Sequence, residues 1–309
     1  MPEESEPVVD WDSLTFSFTK TDRMYLSKCE LGGEWAVGSM MDFEDLVISP
    51  AAGVLNYGQG LFEGMKAQRA SDGSIVLFRP DRNAKRAQEG AMRLGMPPVP
   101  EEIFLDAVMK TVRENSRWVP PMGKGALYIR PLLMGSGPIL GVAPAPEYTF
   151  LVFTSPVGPY FKGGITPTSL RVSERFHRAA PGGSGGVKAI GNYAPGMIPS
   201  KMAKKEGYSE IIYLDAVNHR YIEEVGAANF FCVKDGVIST PELTGTILPG
   251  VTRASIIELA MARGYEVREE KVDVEYAMSA DECFCVGTAA VVSSIGKIQY
   301  GERVKEYYG

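Results

Sequence analysis

A lone lysine set among glycines, in Gly182-Gly183-Ser184-Gly185-Gly186-Val187-Lys188-Ala189-Ile190-Gly191-Asn192-Tyr193, is the first stretch of this sequence that could do chemistry. A Walker-type phosphate loop needs contiguous Gly-Lys-Ser/Thr, and here Val187 precedes the lysine and Ala189 follows it. Two readings remain: a solvated lysine on a flexible surface loop, or a desolvated one, pushed below the usual pKa of about 10.4, whose amine attacks a carbonyl. A Schiff base with an aldehyde cofactor would suit the second. In Tyr221-Ile222-Glu223-Glu224-Val225-Gly226-Ala227-Ala228-Asn229-Phe230-Phe231, Glu223 and Glu224 are adjacent on a strand-like run and face opposite ways, which predicts that one of them is solvated. The other is either a second exposed edge carboxylate or a buried one that keeps a heteroaromatic nitrogen protonated, as the electron sink of pyridoxal phosphate requires. Leu248-Pro249-Gly250-Val251-Thr252-Arg253 is a helix start whose N–H groups and Thr hydroxyl could seat a phosphate, or a plain turn. Gly287-Thr288-Ala289-Ala290 could offer N–H groups to a carboxylate, or serve close packing within a central strand.

The chain that must position these groups has 309 residues, enough to bury about three-quarters of its unfolded surface. With 45% hydrophobic and 23% charged residues it has the balance of a soluble globular protein. The 32 Lys+Arg against 38 Asp+Glu leave a net charge of −6 with both signs scattered, which advertises no basic face for nucleic acid or an anionic membrane. His177 and His219 are the only histidines, and Cys29, Cys232, Cys283 and Cys285 form neither a CxxC pair nor a disulfide framework. No metal is expected, and a reducing compartment is the default. No apolar run reaches 18 residues, and the start, Met-Pro-Glu-Glu-Ser-Glu-Pro, is unlike a signal or transit peptide. Cytoplasm is the default reading; a plastid or mitochondrion stays open if a transit peptide has been removed.

Periodicity and turn residues predict a mixed α and β architecture. Strands are expected at Met24–Lys28 and Glu34–Ser39, and a hairpin from Lys66–Arg69 through Asp72-Gly73 to Ile75–Phe78. Helices follow from Pro80 to near Gly95 and from Glu101 to about Ser116, the second packing an apolar face on the sheet. Ala126–Met134 and Glu147–Phe153 read as buried strands. Residues 1–155 then form a small N-terminal α/β domain, 156–165 a Pro- and Gly-bearing linker, and 166–309 a large C-terminal α/β domain. The second domain is expected to hold a helix at Tyr193–Glu206, strands at Glu210–Leu214 and Tyr221–Val233, and a turn at Lys234-Asp235-Gly236. After these come a helix from Val251 to Arg263 and a central strand, Cys283–Ile295.

In this order, and with Tyr57-Gly-Gln-Gly-Leu-Phe-Glu-Gly64 upstream, the four constellations resemble the branched-chain amino acid aminotransferases, a fold-type IV family. Phe78-Arg79-Pro80, Tyr128-Ile-Arg130-Pro131, Lys188–Tyr193, Glu224-Val-Gly226, Leu248-Pro-Gly-Val-Thr252 and Gly287-Thr-Ala289 point to its eukaryotic or plant branch. The resemblance spans about residues 20 to 300. It implies two α/β domains with the active site at their interface, pyridoxal 5'-phosphate as cofactor, and a homodimer whose partner completes the substrate pocket. It further implies a ping-pong transfer of the amino group between Leu, Ile or Val and 2-oxoglutarate. By it, Lys188 is the catalytic Schiff-base lysine, Tyr193 meets the cofactor's phenolic oxygen and Glu224 its pyridine nitrogen. Leu248 packs on the ring, while Arg86, Val251 and Thr252 hold the phosphate. Thr288 and Ala289, with Tyr57, receive the substrate carboxylate. Phe62, Tyr128 and Tyr160 resemble the side-chain pocket, and Arg130 resembles the residue that meets the distal carboxylate of glutamate.

Two departures stand out. Mammalian members carry a redox CxxC where this chain has Ala290 and Ser293, so thiol switching of that kind is not expected. Family chains also continue into a further helical segment where this sequence stops at Glu306-Tyr307-Tyr308-Gly309, which sets a truncated, non-catalytic homologue beside the enzyme reading. Within the fold, transaminases of methionine-type 2-oxo acids or of D-amino acids, and aminodeoxychorismate lyases, are the neighbouring alternatives.

Overall fold

The computed structural model describes residues 9–158 and 167–307. The chain divides into two compact units, Met1–Tyr160 and Phe161–Gly309. In the first lie β1 (Arg23–Glu30), β2 (Ser39–Asp42), α1 (Gly53–Tyr57), β3 (Gly60–Phe62), β4 (Met65–Arg69) and β5 (Ile75–Leu77). These are followed by α2 (Pro80–Arg93), α3 (Glu101–Glu114), β6 (Ala126–Gly135) and β7 (Glu147–Val157). The strands form one antiparallel sheet, ordered β2-β1-β7-β6-β4-β5 with β3 also beside β6. Its period-2 pattern decides what each face carries. Leu61, Met65, Ala67, Leu127, Ile129 and Leu133 enter the core, so Phe62, Lys66, Tyr128 and Arg130 lie on the opposite face. Helix α3 buries Phe104, Ala107, Val108, Thr111 and Val112, with Phe104 stacked on Phe150 of β7 at 5.6 Å. Helix α2 opens on Pro80 and buries Asn83, Ala84, Ala87, Gly90 and Ala91, a stripe of small residues that permits close approach.

The second unit holds β8 (Thr168–Ser173), α4 (Met197–Lys205), β9 (Glu210–Leu214), β10 (Ile222–Val225), β11 (Ala228–Lys234) and β12 (Val237–Pro241). It continues with α5 (Val251–Ala262), β13 (Glu266–Glu270), α6 (Val274–Met278), β14 (Glu282–Gly287), β15 (Val291–Tyr300) and β16 (Arg303–Glu306). Pairing runs β10-β9-β8-β15-β14-β11, and β11 returns to β10, so these strands close a ring; β8 is parallel to both its neighbours. Leu170, Ile212, Ile222, Phe230, Cys232, Cys285 and Ile295 fill it, with at least one side chain from each strand. On the outer side Phe231 stacks on Phe284 at 4.9 Å and both pack with Ile256 and Ile257 of α5.

The mixed architecture agrees with the sequence reading, and most elements fall where periodicity puts them. The differences have local causes. The strand expected at Glu34–Ser39 lies instead at Ser39–Asp42, where Met24 and Tyr25 of β1 offer pairing partners. The helix expected from Tyr193 begins at Met197, after two short 3₁₀ turns, Ile190–Asn192 and Ala194–Gly196, the second of them built around Pro195. Cys283–Ile295 is not one strand but the hairpin β14–β15, folded at Thr288–Ala290. Strand β7 extends through Val157, into the segment read as linker.

Candidate active site

In the second unit the glycine-rich stretch is packed rather than flexible. A Cβ on Gly185 would stand 2.4 Å from the Thr246 carbonyl oxygen, and the Gly186 N–H donates to the Gly245 carbonyl at 2.7 Å. Arg178 crosses both segments, its Nη2 donating to the carbonyls of Gly185 (2.8 Å) and Thr246 (2.7 Å). Asn192 closes the loop on itself: its Nδ2 donates to the carbonyls of Ser184 (2.7 Å) and Val187 (2.9 Å), and its Oδ1 accepts from the Ser184 hydroxyl (2.7 Å). Lys188 sits inside this clamp, half-buried, with Nζ donating to the Tyr193 hydroxyl at 3.1 Å.

Both carboxylates of the Glu223-Glu224 pair are buried, at 5% and 3% exposure, which corrects the expectation that one is solvated. The ladder between β10 and β9 slips between Ile222 and Glu224, and the alternation that would send one side chain to water does not survive such a bulge. Glu224 Oε1 accepts from the Leu248 N–H (2.6 Å) and from Asn229 Nδ2 (3.4 Å), while Oε2 lies 3.0 Å from Arg178 Nε. Burial pushes the Glu224 carboxyl above the usual range, against the pull of Arg178, the Leu248 N–H and the charge of Lys188. A cationic ring nitrogen is the partner that would relieve this cost. Gly250 precedes α5 because a Cβ there would fall 2.1 Å from Asn229 Oδ1. The helix α5 starts with no side-chain cap and no acidic residue in its first turn, the kind of N-terminus whose leading N–H groups, here those of Val251 and Thr252, suit an anion. Thr288 and Ala289 occupy the β14–β15 turn, which ends on Val291 at φ 59°, a strained conformation for a β-branched residue.

In the first unit the motif Leu61-Phe62-Glu63-Gly64 explains itself. Glu63, 1% exposed, takes a bidentate ion pair from Arg86 (2.8 and 2.7 Å) and a hydrogen bond from Asn83 Nδ2 (2.8 Å), which fixes the guanidinium of α2 in place. Gly64 must lack a Cβ because one would stand 2.2 Å from the Tyr128 hydroxyl. Arg130 lies 4.4 Å over the Phe62 ring and donates from Nη2 to the Tyr128 hydroxyl at 3.2 Å; its Nε is buried without a partner. Burial raises the Tyr128 phenol's pKa despite the Arg130 charge. Phe62, Tyr128 and Arg130 thus form one group, whereas the Tyr57 hydroxyl donates to the Leu140 carbonyl. Tyr160 lies outside the described residues. Sequence reasoning assigned no role to Asn192, Asn229 and Glu63, although each lies within a quoted motif, and passed over Arg178, whose partners Gly185 and Thr246 come together only in the fold.

The second unit carries a lysine beside a tyrosine, a buried carboxylate and a helix N-terminus without acidic residues, groups of a kind that suits pyridoxal phosphate, and the fold is that of the fold-type IV aminotransferases. The family description "Amino-transferase class IV" matches residues 60–298, and the chain belongs to that family, whose members are pyridoxal-phosphate-dependent transaminases. The chain is 57% identical over 299 residues to branched-chain-amino-acid aminotransferase 5, chloroplastic, of Arabidopsis thaliana, covering 97% of this chain and 72% of that one. Identity is 56% with branched-chain amino acid aminotransferase 2, chloroplastic, of Humulus lupulus (96% and 73% covered), and 48% with an Arabidopsis thaliana methionine aminotransferase (96% and 83%). The Escherichia coli branched-chain amino acid aminotransferase structure superposes with a TM-score of 0.80 at 30% identity, covering 93% of this chain and 89% of that one. The archaeal enzyme of Thermoproteus uzoniensis, a branched-chain aminotransferase solved with norvaline, gives 0.79 at 29%, covering 93% and 89%. No helix among the described residues is long and apolar enough to cross a membrane.

Proposed function

We propose that this chain is a branched-chain amino acid aminotransferase, moving the amino group between Leu, Ile or Val and 2-oxoglutarate, and that it works as a homodimer. The observation that carries the reading is the buried Glu224 carboxylate, braced by Arg178 and Leu248 and sensing the charge of Lys188, which suits a protonated ring nitrogen. Pyridoxal phosphate, when bound, supplies an aldehyde to capture amines and a cationic ring to draw electrons from the substrate's α-carbon. Lys188 would hold the cofactor through its amine and, once set free by the substrate's amine, would carry the proton from the substrate's α-carbon to the cofactor's C4′ carbon, steered by the Tyr193 hydroxyl 3.1 Å away. By the family resemblance, Leu248 would pack against the cofactor's ring, and the first N–H groups of α5, the Thr252 hydroxyl and Arg86 would hold its phosphate. Thr288, Ala289 and Tyr57 receive the α-carboxylate. Phe62 and Tyr128 supply aromatic walls for an aliphatic side chain, and Arg130, whose buried Nε lacks a partner, answers a distal carboxylate.

The test is to supply pyridoxal phosphate, reduce with borohydride and map the adduct, then assay glutamate formation from leucine and 2-oxoglutarate. The adduct is expected on Lys188, and Lys188→Ala should lose roughly 10³-fold or more of turnover while keeping its far-ultraviolet circular dichroism. An adduct on another lysine, or undiminished turnover in that variant, overturns the assignment. The similarity to a methionine aminotransferase makes methionine the informative competitor: a higher kcat/KM for it than for leucine would shift the substrate and keep the chemistry.

A further inference from the structure

Behind the strand that carries Glu224, the second unit encloses a half-open cavity of about 250 Å³ that the transamination reading does not use. Its wall includes Glu223, Thr244, Thr246, Ile247, Val217 and Lys271. Glu223 is the residue at the β10 bulge, is 5% exposed, and leaves Oε2 with no hydrogen-bond partner, while the Thr246 hydroxyl meets its carboxyl. A buried carboxylate oxygen left unmet costs more than one paired with a cation. Burial accordingly lifts this carboxyl above its ordinary range, against Thr246 and the charge of Arg178. Of the other acids of the wall, Glu242 is partly exposed, and Asp215 and Glu270 are already engaged. Asp215 accepts backbone N–H groups from Asn218 (2.6 Å), Arg220 (3.0 Å) and Tyr221 (2.8 Å), which outweigh burial and bring its carboxyl down to about 2, and Glu270 accepts from the Ser239 hydroxyl (2.7 Å). Among the described residues no cluster of three metal-type ligands forms, and the cavity greatly exceeds an ion in volume.

We propose that this cavity binds a primary ammonium carried on a short aliphatic body, with Glu223 as its counter-ion, Thr244 and Thr246 as hydrogen-bonding groups, and Val217 and Ile247 against the carbon chain. Lys271, exposed at the wall, would add a contact for a carboxylate and so favour an amino acid over a simple amine. The site does not depend on the transaminase reading, but it shares a segment with that site: Thr246 lines the cavity, and two residues on the Leu248 N–H holds Glu224.

The test is isothermal titration calorimetry on the chain supplied with pyridoxal phosphate and reduced with borohydride, so that no amine can react at Lys188. The probes are 3-methylbutylamine, its neutral counterpart 3-methylbutanol, and leucine. Saturable binding of the amine with Kd on the order of 1 mM or tighter is expected, at least about tenfold tighter than the alcohol and weakened about tenfold in Glu223→Gln. Leucine bound more tightly than the amine, with the advantage removed by Lys271→Ala, assigns the site to amino acids; equal affinities assign it to the bare amine. Equal affinity for amine and alcohol, undiminished binding in Glu223→Gln, or no saturable binding overturns the proposal. The alcohol comparison decides the matter even if Glu223→Gln does not fold. A chain that takes up no pyridoxal phosphate yet binds the amine would refute the transaminase reading and leave this one standing.

Discussion

At the scale of single residues, Glu224 carries the sharpest prediction. Its carboxylate is held by a backbone N–H and faced by a buried guanidinium, so Glu224→Gln keeps the shape and the Leu248 contact but removes the charge. Turnover should fall on the order of 10²-fold, the scale of losing one preorganised electrostatic partner. Stability should fall by about 3 kcal/mol, because Arg178 is left buried without its counter-ion. Steady-state kinetics and urea titration read the two effects separately, and full turnover would show that another carboxylate serves the ring. Lys188 and Glu224 stood out in the sequence because a lysine among glycines and paired acids among small apolar residues violate ordinary surface patterns, but the residues alone left each open to a solvated reading and only the family resemblance proposed their roles. Arg178 did not stand out, since an isolated arginine looks like any solvated one until the chain brings Gly185 and Thr246 to it.

At the scale of elements, the loop from Ser184 to Tyr193 owes its shape to Asn192, whose side chain makes three hydrogen bonds back to residues 184 and 187. Asn192→Ala should cost about 1–3 kcal/mol. It should also reduce kcat more than a core truncation of similar cost in the other unit, such as Val108→Ala, because only the former loosens the base of Lys188. Equal kcat in the two variants would make Asn192 purely structural. Helices and most strands were legible because their periods are long and their stops are glycine or proline, as at Gly95 and Gly264, both in the left-handed region. The hairpin at Thr288–Ala290 was not, because it lacks the Asn-Gly or Asp-Gly signature that marked Asp235-Gly236. The bulge at Glu223 escaped for a related reason: register is a property of two strands, and one strand's sequence shows only its own alternation.

At the scale of the whole molecule, the two units bury their own cores, one under a helix-covered antiparallel sheet and one inside a strand ring. That division leaves the four thiols unevenly placed: Cys29 belongs to the first unit, and Cys232, Cys283 and Cys285 to the second. All four are buried, and burial raises each thiol's pKa, to about 12 for Cys232 and Cys285. A thiol kept protonated and out of solvent reacts with an alkylating reagent only when its surroundings open. The cysteines are therefore built-in timers of unfolding, one ticking for the first unit and three for the second. Pulsed iodoacetamide labelling under mild urea, read by peptide mass spectrometry, should mark Cys232, Cys283 and Cys285 together and Cys29 at its own rate. Simultaneous labelling of all four at every urea concentration would mean instead that the two units open as one.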